Sequence, residues 1–291
     1  LKSLSTVLIS ISLKSFINHD YWKYHMNEIK RLYGRFIVGL VLIKNIKNWI
    51  SVFANYLWIK KEKYVTHELR DGNVIKLKRA EKQGETSGLA NIYEIFLIKN
   101  YNPKGMEIKN NDLVIDIGAN IGVFTIYSSF LSKNGKIYSY EPFKTHFNRL
   151  LENIKINNLH NVKAFNLAVC GSKGKRDLYI SNVSSGMHSL FFEGSGKKVS
   201  VECTTLKEIF DLNKIKRCNF LKIDCEGAEY EILYNTPNKY FKEINKIVLE
   251  WDKLDNKKMN VIYLKNFLEK KGFKVRIKGA DQKAGILYAK K

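Results

Sequence analysis

Leu113-Val-Ile-Asp-Ile-Gly-Ala-Asn-Ile-Gly-Val-Phe-Thr-Ile-Tyr127 is the stretch that decides how the chain is read. Leu113 to Ile117 is an apolar, β-branched run with the length of a buried strand. It holds one acid, Asp116, and breaks at Gly118-Ala119-Asn120-Ile121-Gly122. Apolar periodicity resumes at Val123, so a helix is expected to about Lys133, closed by Asn134-Gly135. A strand that ends in a glycine turn and opens a helix brings backbone N–H groups close to a ligand. The stretch therefore predicts the floor of a nucleoside-cofactor site. Taken alone it also fits ordinary turn punctuation.

Strands and helices alternate from there on. Lys136–Glu141 reads as the next strand, closed by Pro142, with a helix to about Asn157. Val162–Val169 reads as a third strand, Asn219–Asp224 as a fourth and Ile244–Trp251 as a fifth. Asp177–Ile180 and Val199–Thr204 are strand-like, and Thr205 is placed to cap a helix through Phe210. A helix marked by Val261, Leu264 and Leu268 precedes an antiparallel pair, Phe273–Lys278 with Gly285–Ala289. This order predicts an α/β fold with a mostly parallel sheet and ligands outside the carboxyl ends of its strands. Upstream, Tyr64–Leu69 and Asn73–Lys78 flank Arg70-Asp71-Gly72 as a hairpin, and Ile92–Lys99 leads as a helix into the core. The divisions expected are a helical extension over 1–63, a hairpin and helix over 64–111 and a catalytic domain over 112–291.

Composition narrows the class. The 45% hydrophobic and 12% aromatic content is that of a globular chain, and three prolines exclude a Pro-rich linker. Cys170, Cys203, Cys218 and Cys225 lack Cys-x-x-Cys spacing and read as free thiols of a reducing, cytoplasmic compartment, with no metal site. The net charge of +22 suits an acidic partner, although basicity is spread along the whole chain. Residues 1–63 carry eleven Lys/Arg against three acids. Phe36, Leu40, Ile43, Ile46, Ile50, Phe53 and Leu57 recur at helical steps, which predicts one apolar face. Such a basic amphipathic helix can dock on the core, on another subunit or peripherally on the inner face of a membrane. Leu4–Leu13 is too short to span a bilayer, and Lys44 and Lys47 interrupt Phe36–Ile59. The sequence begins at Leu1, as a fragment of a longer chain would.

Three carboxylates, Asp116, Glu141 and Asp224, fall at the ends of successive predicted strands. Glu141 stands 19 residues after Gly122, near the offset of an acid that accepts ribose hydroxyls. A dinucleotide-dependent dehydrogenase is one reading, but its Gly-x-Gly-x-x-Gly fingerprint is absent. Asp116 would also repel a pyrophosphate in a low-dielectric site. An acid there suits a ligand with positive charge, and S-adenosylmethionine carries an ammonium and a sulfonium.

Val114-Ile-Asp-Ile-Gly-Ala-Asn-Ile-Gly-Val-Phe-Thr125, Tyr140-Glu-Pro142 and Leu221-Lys-Ile-Asp-Cys-Glu-Gly-Ala-Glu-Tyr-Glu-Ile-Leu233 together resemble the three motif blocks of the FkbM family of S-adenosylmethionine-dependent methyltransferases. The resemblance covers about Ile92 to Trp251. It implies a class I methyltransferase fold, a Rossmann-like seven-stranded sheet with helices on both faces and an antiparallel last strand. It implies O-methylation of a hydroxyl, commonly on a sugar, glycolipid or polyketide. By motif position, Asp116, Gly118, Ala119, Asn120 and Gly122 would surround the methionine part of the cofactor. Glu141 would hold the ribose, Ala168 would lie near the adenine, and Asp224 and Glu226 would face the methyl. Lys207 and Tyr234-Asn235 depart from the family pattern, away from that floor.

Asp224 ends a central strand and is the first choice for a polar group beside the methyl, with helix capping as its plain alternative. Glu226 carries the same two readings. His188, in Ser184-Ser-Gly-Met-His-Ser-Leu190, has a general base's ordinary pKa in a stretch able to cover the site, or is a surface histidine without a role. The expected partner is a small-molecule, glycan or glycolipid acceptor. A nucleic-acid methyltransferase is the runner-up on charge, disfavoured by the acidic Asp224-Cys225-Glu226 strand end. A non-catalytic, membrane-associated module on the same fold is the remaining reading.

Overall fold

The computed structural model describes residues 39–81, 88–180, 197–252, 254, 259–279 and 284–291. Residues 39–45 are helical, the chain breaks over Ile46–Asn48, and α1 (Trp49–Tyr56) follows. The predicted single apolar face is corrected by this break. Ile46 is fully buried, whereas Leu40, Ile50 and Leu57 are 46, 67 and 58% exposed; Phe36 lies outside the described residues. The cause is pairing across the chain: Ile46 bridges Leu69, the Lys47 N–H donates to the Glu68 carbonyl, and Asn48 clamps the Thr66 carbonyl and the Glu68 N–H. Backbone groups satisfied by a neighbouring strand cannot continue the helix, so its phase restarts.

That neighbour is the expected hairpin, β1 (Tyr64–Glu68) with β2 (Val74–Lys78), antiparallel and turned at Asp71-Gly72. Next come α2 (Leu89–Ile92), which runs into a wide turn over Tyr93–Leu97, then β3 (Leu113–Ile117) and α3 (Val123–Leu131). The chain continues through β4 (Lys136–Tyr140), α4 (Lys144–Ile156) and β5 (Val162–Phe165). It then forms β6 (Ala168–Val169), β7 (Gly174–Tyr179), β8 (Lys198–Thr204) and α5 (Leu206–Leu212). The remainder is β9 (Phe220–Ile223), α6 (Glu229–Tyr234), α7 (Asn238–Glu243), β10 (Lys246–Asp252), α8 (Val261–Lys270), β11 (Lys274–Lys278) and β12 (Ala284–Lys290).

Seven strands form one sheet in the order β11-β12-β10-β9-β3-β4-β5. The pairs β10–β9, β9–β3, β3–β4 and β4–β5 are parallel, and β12 runs antiparallel to both of its neighbours. This is the class I methyltransferase sheet that the motif blocks imply. Strand order reverses between β3 and β9, with β4 and β5 on one side and β10 on the other, which opens a crevice at the carboxyl ends of the central strands. The predicted strand Val162–Val169 is corrected to two. The Asn166 amide donates to the carbonyls of Glu141 and Pro142, and Ala168–Val169 leaves for a separate sheet, β6-β8-β7.

Alternation along the strands splits the core between the two faces. Ile115, Ile117, Leu221, Ile223, Ile247 and Leu249 face one side, and Val114, Phe220, Val248 and Tyr288 the other. The second side is covered by Leu42, Ile46, Ile75, Leu77, Ile92 and Phe96, so the segments 39–81 and 88–108 share a core with the central sheet. Each such buried Ile, Leu or Phe contributes about 1.5–3 kcal/mol of apolar burial.

Two glycines set the turn after β3. Gly118 has φ +75°, and a Cβ there would lie 1.7 Å from the Asp224 carbonyl oxygen. Gly122 has φ +90°, and its Cβ would meet Leu150 at 2.4 Å. The first contact is with backbone, which cannot swing aside. Gly118→Ala will lower the thermal midpoint by about 4–8 °C, the equivalent of about 2 kcal/mol in a chain of this size. Calorimetric melting measures it, and an unchanged midpoint would mean that the turns after β3 and β9 are not held this close.

Candidate functional site

The site is built on one polar row across the sheet. Register places Ser139 of β4 beside Asp116 of β3, and Asp116 beside Lys222 of β9. Asp116 is 0% and Lys222 3% exposed. Lys222 Nζ lies 3.2 Å from Asp116 Oδ1 and 3.4 Å from Asp224 Oδ2. It also donates to the Gly118 carbonyl at 2.7 Å. Thr125 of α3 donates to Asp116 Oδ2 at 2.7 Å and lies 2.9 Å from the Ser139 hydroxyl. Burial alone would lower the Lys222 pKa, but Asp116 and Asp224 outweigh it and hold the ammonium above its usual range. One buried cation thus ties together two strand ends and the turn that follows the first.

The glycine turn rises from this row. Gly118, Asn120 and Gly122 all have positive φ, and the Gly118 and Ala119 N–H groups donate to the Tyr140 carbonyl. That places the turn against the end of β4, where Glu141 follows. Glu141 Oε2 accepts the Asn120 N–H at 2.8 Å and Oε1 accepts the Phe143 N–H at 2.8 Å. Burial pushes its pKa up to about 7, against the pull of the Phe143 and Asn120 amides and of Lys222. Each oxygen keeps acceptor capacity beyond its one amide.

Acidity concentrates at the ends of β9 and β10. Tyr101 donates to Asp224 Oδ2 at 3.1 Å and to Glu250 Oε2 at 2.9 Å. Glu226 is left-handed at φ +54° and opens a turn with Gly227 at φ +110°. Burial raises the Glu226 pKa well above the carboxylate range, and Asp252, Asp224, Glu250 and Glu229 add to the rise. Glu229 accepts the Cys225 and Gly227 N–H groups at 2.9 Å each and so braces the same turn; burial and Asp252 push its pKa to about 8. Among the described residues, no group of three or more His, Cys, Asp or Glu is arranged to hold a metal.

The expected site residues are distributed as follows. Gly118, Ala119, Asn120, Gly122 and Glu141 come together as one turn and its carboxylate. Asp116 lies under that turn, with its carboxylate on Lys222 and Thr125 instead of in the open crevice. Asp224 and Glu226 stand at the crevice edge. Ala168 is a buried member of the small sheet, paired with Cys203. His188 lies outside the described residues. Lys222, Tyr101, Thr125 and Ser139 were not foreseen. A lysine inside the apolar run Phe220–Ile223 is the one signal that pointed to such a pairing.

S-adenosylmethionine fits this donor set. Asp224, Glu226, Glu229, Glu250 and Asp252 crowd one edge, and burial with the neighbouring acids disfavours the charged forms of Glu226 and Glu229. A ligand that carries an ammonium and a sulfonium relieves that repulsion. The two oxygens of Glu141 suit the paired hydroxyls of a ribose.

Residues 116–275, more than half of the chain, match the family model described as the Methyltransferase FkbM domain. "Methyltransferase 1" of Beauveria bassiana is 27% identical over 211 residues, 65% of this chain and 82% of that protein. "Hexuronic acid methyltransferase AglP" of Haloferax volcanii is 25% identical over 145 residues, 50% of this chain and 57% of that protein. "31-O-demethyl-FK506 methyltransferase FkbM" of Streptomyces tacrolimicus is 23% identical over 201 residues, 59% of this chain and 77% of that protein. With the seven-stranded sheet and the turn joined to Glu141, the match makes this chain a member of the FkbM methyltransferase domain family, an enzyme that uses S-adenosylmethionine.

Proposed function

We propose that the protein transfers a methyl group to a hydroxyl oxygen of a sugar, a glycolipid or a related natural product. The cofactor half of this reading rests on the Asn120 N–H bound to Glu141, which joins the glycine turn to the acid we assign to the ribose. Relatives named for a hexuronic acid and for an O-demethyl natural product support a hydroxyl or acid oxygen as acceptor.

The cofactor, when bound, supplies an electrophilic methyl on a sulfonium. Gly118–Gly122 and Glu141 then hold its two ends, with Asp116 and Lys222 as positioning residues beneath. Asp224, oriented by the Tyr101 hydroxyl and kept near Lys222, accepts a hydrogen bond from the acceptor hydroxyl and aligns it. Glu226, returned to its carboxylate form beside the bound cation, takes the hydroxyl proton as the new bond forms. A nucleic-acid substrate fits poorly, since a phosphate backbone would meet this acidic edge.

The extension contributes a docking face. Ile50 on α1 is 67% exposed, Leu57 at its end 58% and Ile59 beyond it 75%. Exposed Lys44, Lys47, Lys60 and Lys61 surround them. Apolar side chains ringed by lysines complement an anionic lipid surface, where a glycolipid acceptor would also reside. No helix among the described residues is long and apolar enough to cross a membrane.

Calorimetric affinity for S-adenosylmethionine will fall about tenfold from pH 8 to pH 6, because the ribose-accepting carboxylate protonates below about 7. Glu141→Gln will bind weakly at both pH values, and a pH-independent wild type would remove Glu141 from the ribose. Asp224→Asn will lower kcat by about 10²–10⁴-fold with cofactor affinity retained. Lys222→Met, which strands Asp116, will weaken cofactor binding and cost about 3–5 kcal/mol of stability. A wild-type kcat in Asp224→Asn would exclude Asp224 from the chemistry. Flotation with phosphatidylglycerol vesicles should drop several-fold in Ile50→Glu/Leu57→Glu at unchanged turnover. Equal flotation, or a dimer that this variant dissociates, would assign the face to something other than lipid.

A further inference from the structure

The end of the sheet remote from the crevice carries a second concentration of charge. Lys246 opens β10, Lys290 closes β12 and Lys274 opens β11. Register sets them directly opposite one another, Lys246 beside Lys290 and Lys290 beside Lys274. Three ammonium groups therefore occupy one row of one sheet face. Like charges directly opposed on paired strands are destabilising. Arg276, two residues along on the same face, lies 4.6 Å from the Tyr288 ring centre.

The turn at 104–107 adds to this row. Lys290 Nζ donates to the Gly105 carbonyl at 3.1 Å and Lys246 Nζ to the Glu107 carbonyl at 2.5 Å. Lys104, Lys274, Arg276 and Lys290 line an open cleft of about 210 Å³, with Met106 and Tyr288 as its apolar walls. No carboxylate pairs with any of these four cations among the described residues. Glu107 is the nearby acid; its carboxylate accepts the Gly105 N–H at 2.7 Å and acts on Lys246 and Lys290 from the rim. Burial depresses the Lys246 pKa, and Lys109 and Lys290 add to this against Asp112 and Glu107.

We propose that this cleft binds the phosphate group of a ligand. Ammonium donors in a row beside an Arg fork match a multiply charged oxyanion, which would turn the lysine repulsion into attraction. Met106 and Tyr288 give the adjoining part of the ligand an apolar wall. One cleft with an apolar wall suits a single phosphorylated headgroup. By register Lys274 and Lys290 lie level with Lys246, four residues or about 13 Å along the strand before Glu250, and the inner wall of Arg276 and Tyr288 lies level with Val248, about 7 Å before it. The cleft is a separate site, and its occupancy does not depend on which acceptor the crevice takes.

Calorimetry with inorganic pyrophosphate, on the full chain without cofactor, tests the site. The wild type should bind saturably, and Lys274→Gln/Arg276→Gln should bind at least tenfold more weakly. Lys163→Gln/Lys216→Gln, which removes the same charge from exposed positions elsewhere, should bind within twofold of wild type. Unchanged melting midpoints and methyl transfer in both variants would show that folding and the crevice are intact. Non-saturable binding, or equal loss in the two variants, would overturn the proposal. Flotation with phosphatidic acid vesicles then separates the sources of the phosphate. Loss in Lys274→Gln/Arg276→Gln alone identifies a lipid headgroup, and unchanged flotation beside lost pyrophosphate binding identifies a soluble phosphorylated ligand.

Discussion

The buried Asp116–Lys222 pair is the constraint on which the site depends. Two charges at 0 and 3% exposure carry a desolvation cost that only mutual attraction and further hydrogen bonds offset. The structure supplies those bonds: Thr125 donates to the acid, and the ammonium donates to the Gly118 carbonyl. Neither charge can move without stranding the other, so β3, β9 and the glycine turn hold one relative position. The same ammonium lies 3.4 Å from Asp224, which carries this rigidity to the crevice edge.

Above that pair, the chain separates its charges by location. The carboxyl ends of β9 and β10 gather acids, where a cationic cofactor relieves their repulsion. The amino end of β10 and its partners gathers lysines. A net charge of +22 is therefore no guide to the partner at the active edge, where the described residues gather acids.

Much of the fold was legible because its signals are local. The strand–turn–helix at Leu113–Tyr127, the hairpin at Asp71-Gly72 and the cap at Thr205 each rest on a few adjacent residues, and all are present. The departures are non-local. The helix over 39–56 lost its phase because Ile46 pairs with Leu69, 23 residues away. Val162–Val169 split because the Asn166 side chain holds the end of β4. Periodicity along one segment contains no term for such partners.

By itself the sequence determined the element order, the glycine turn, the acids at the strand ends and hence the family and cofactor. These follow from steric rules and short-range spacing, which any window of the chain carries. Only the tertiary structure decided that Asp116 lies beneath the turn, paired with Lys222 and not turned to the crevice. Only it aligned Lys246, Lys290 and Lys274 in one row. Both arrangements are set by strand register, and register depends on which distant strands pair and in which direction.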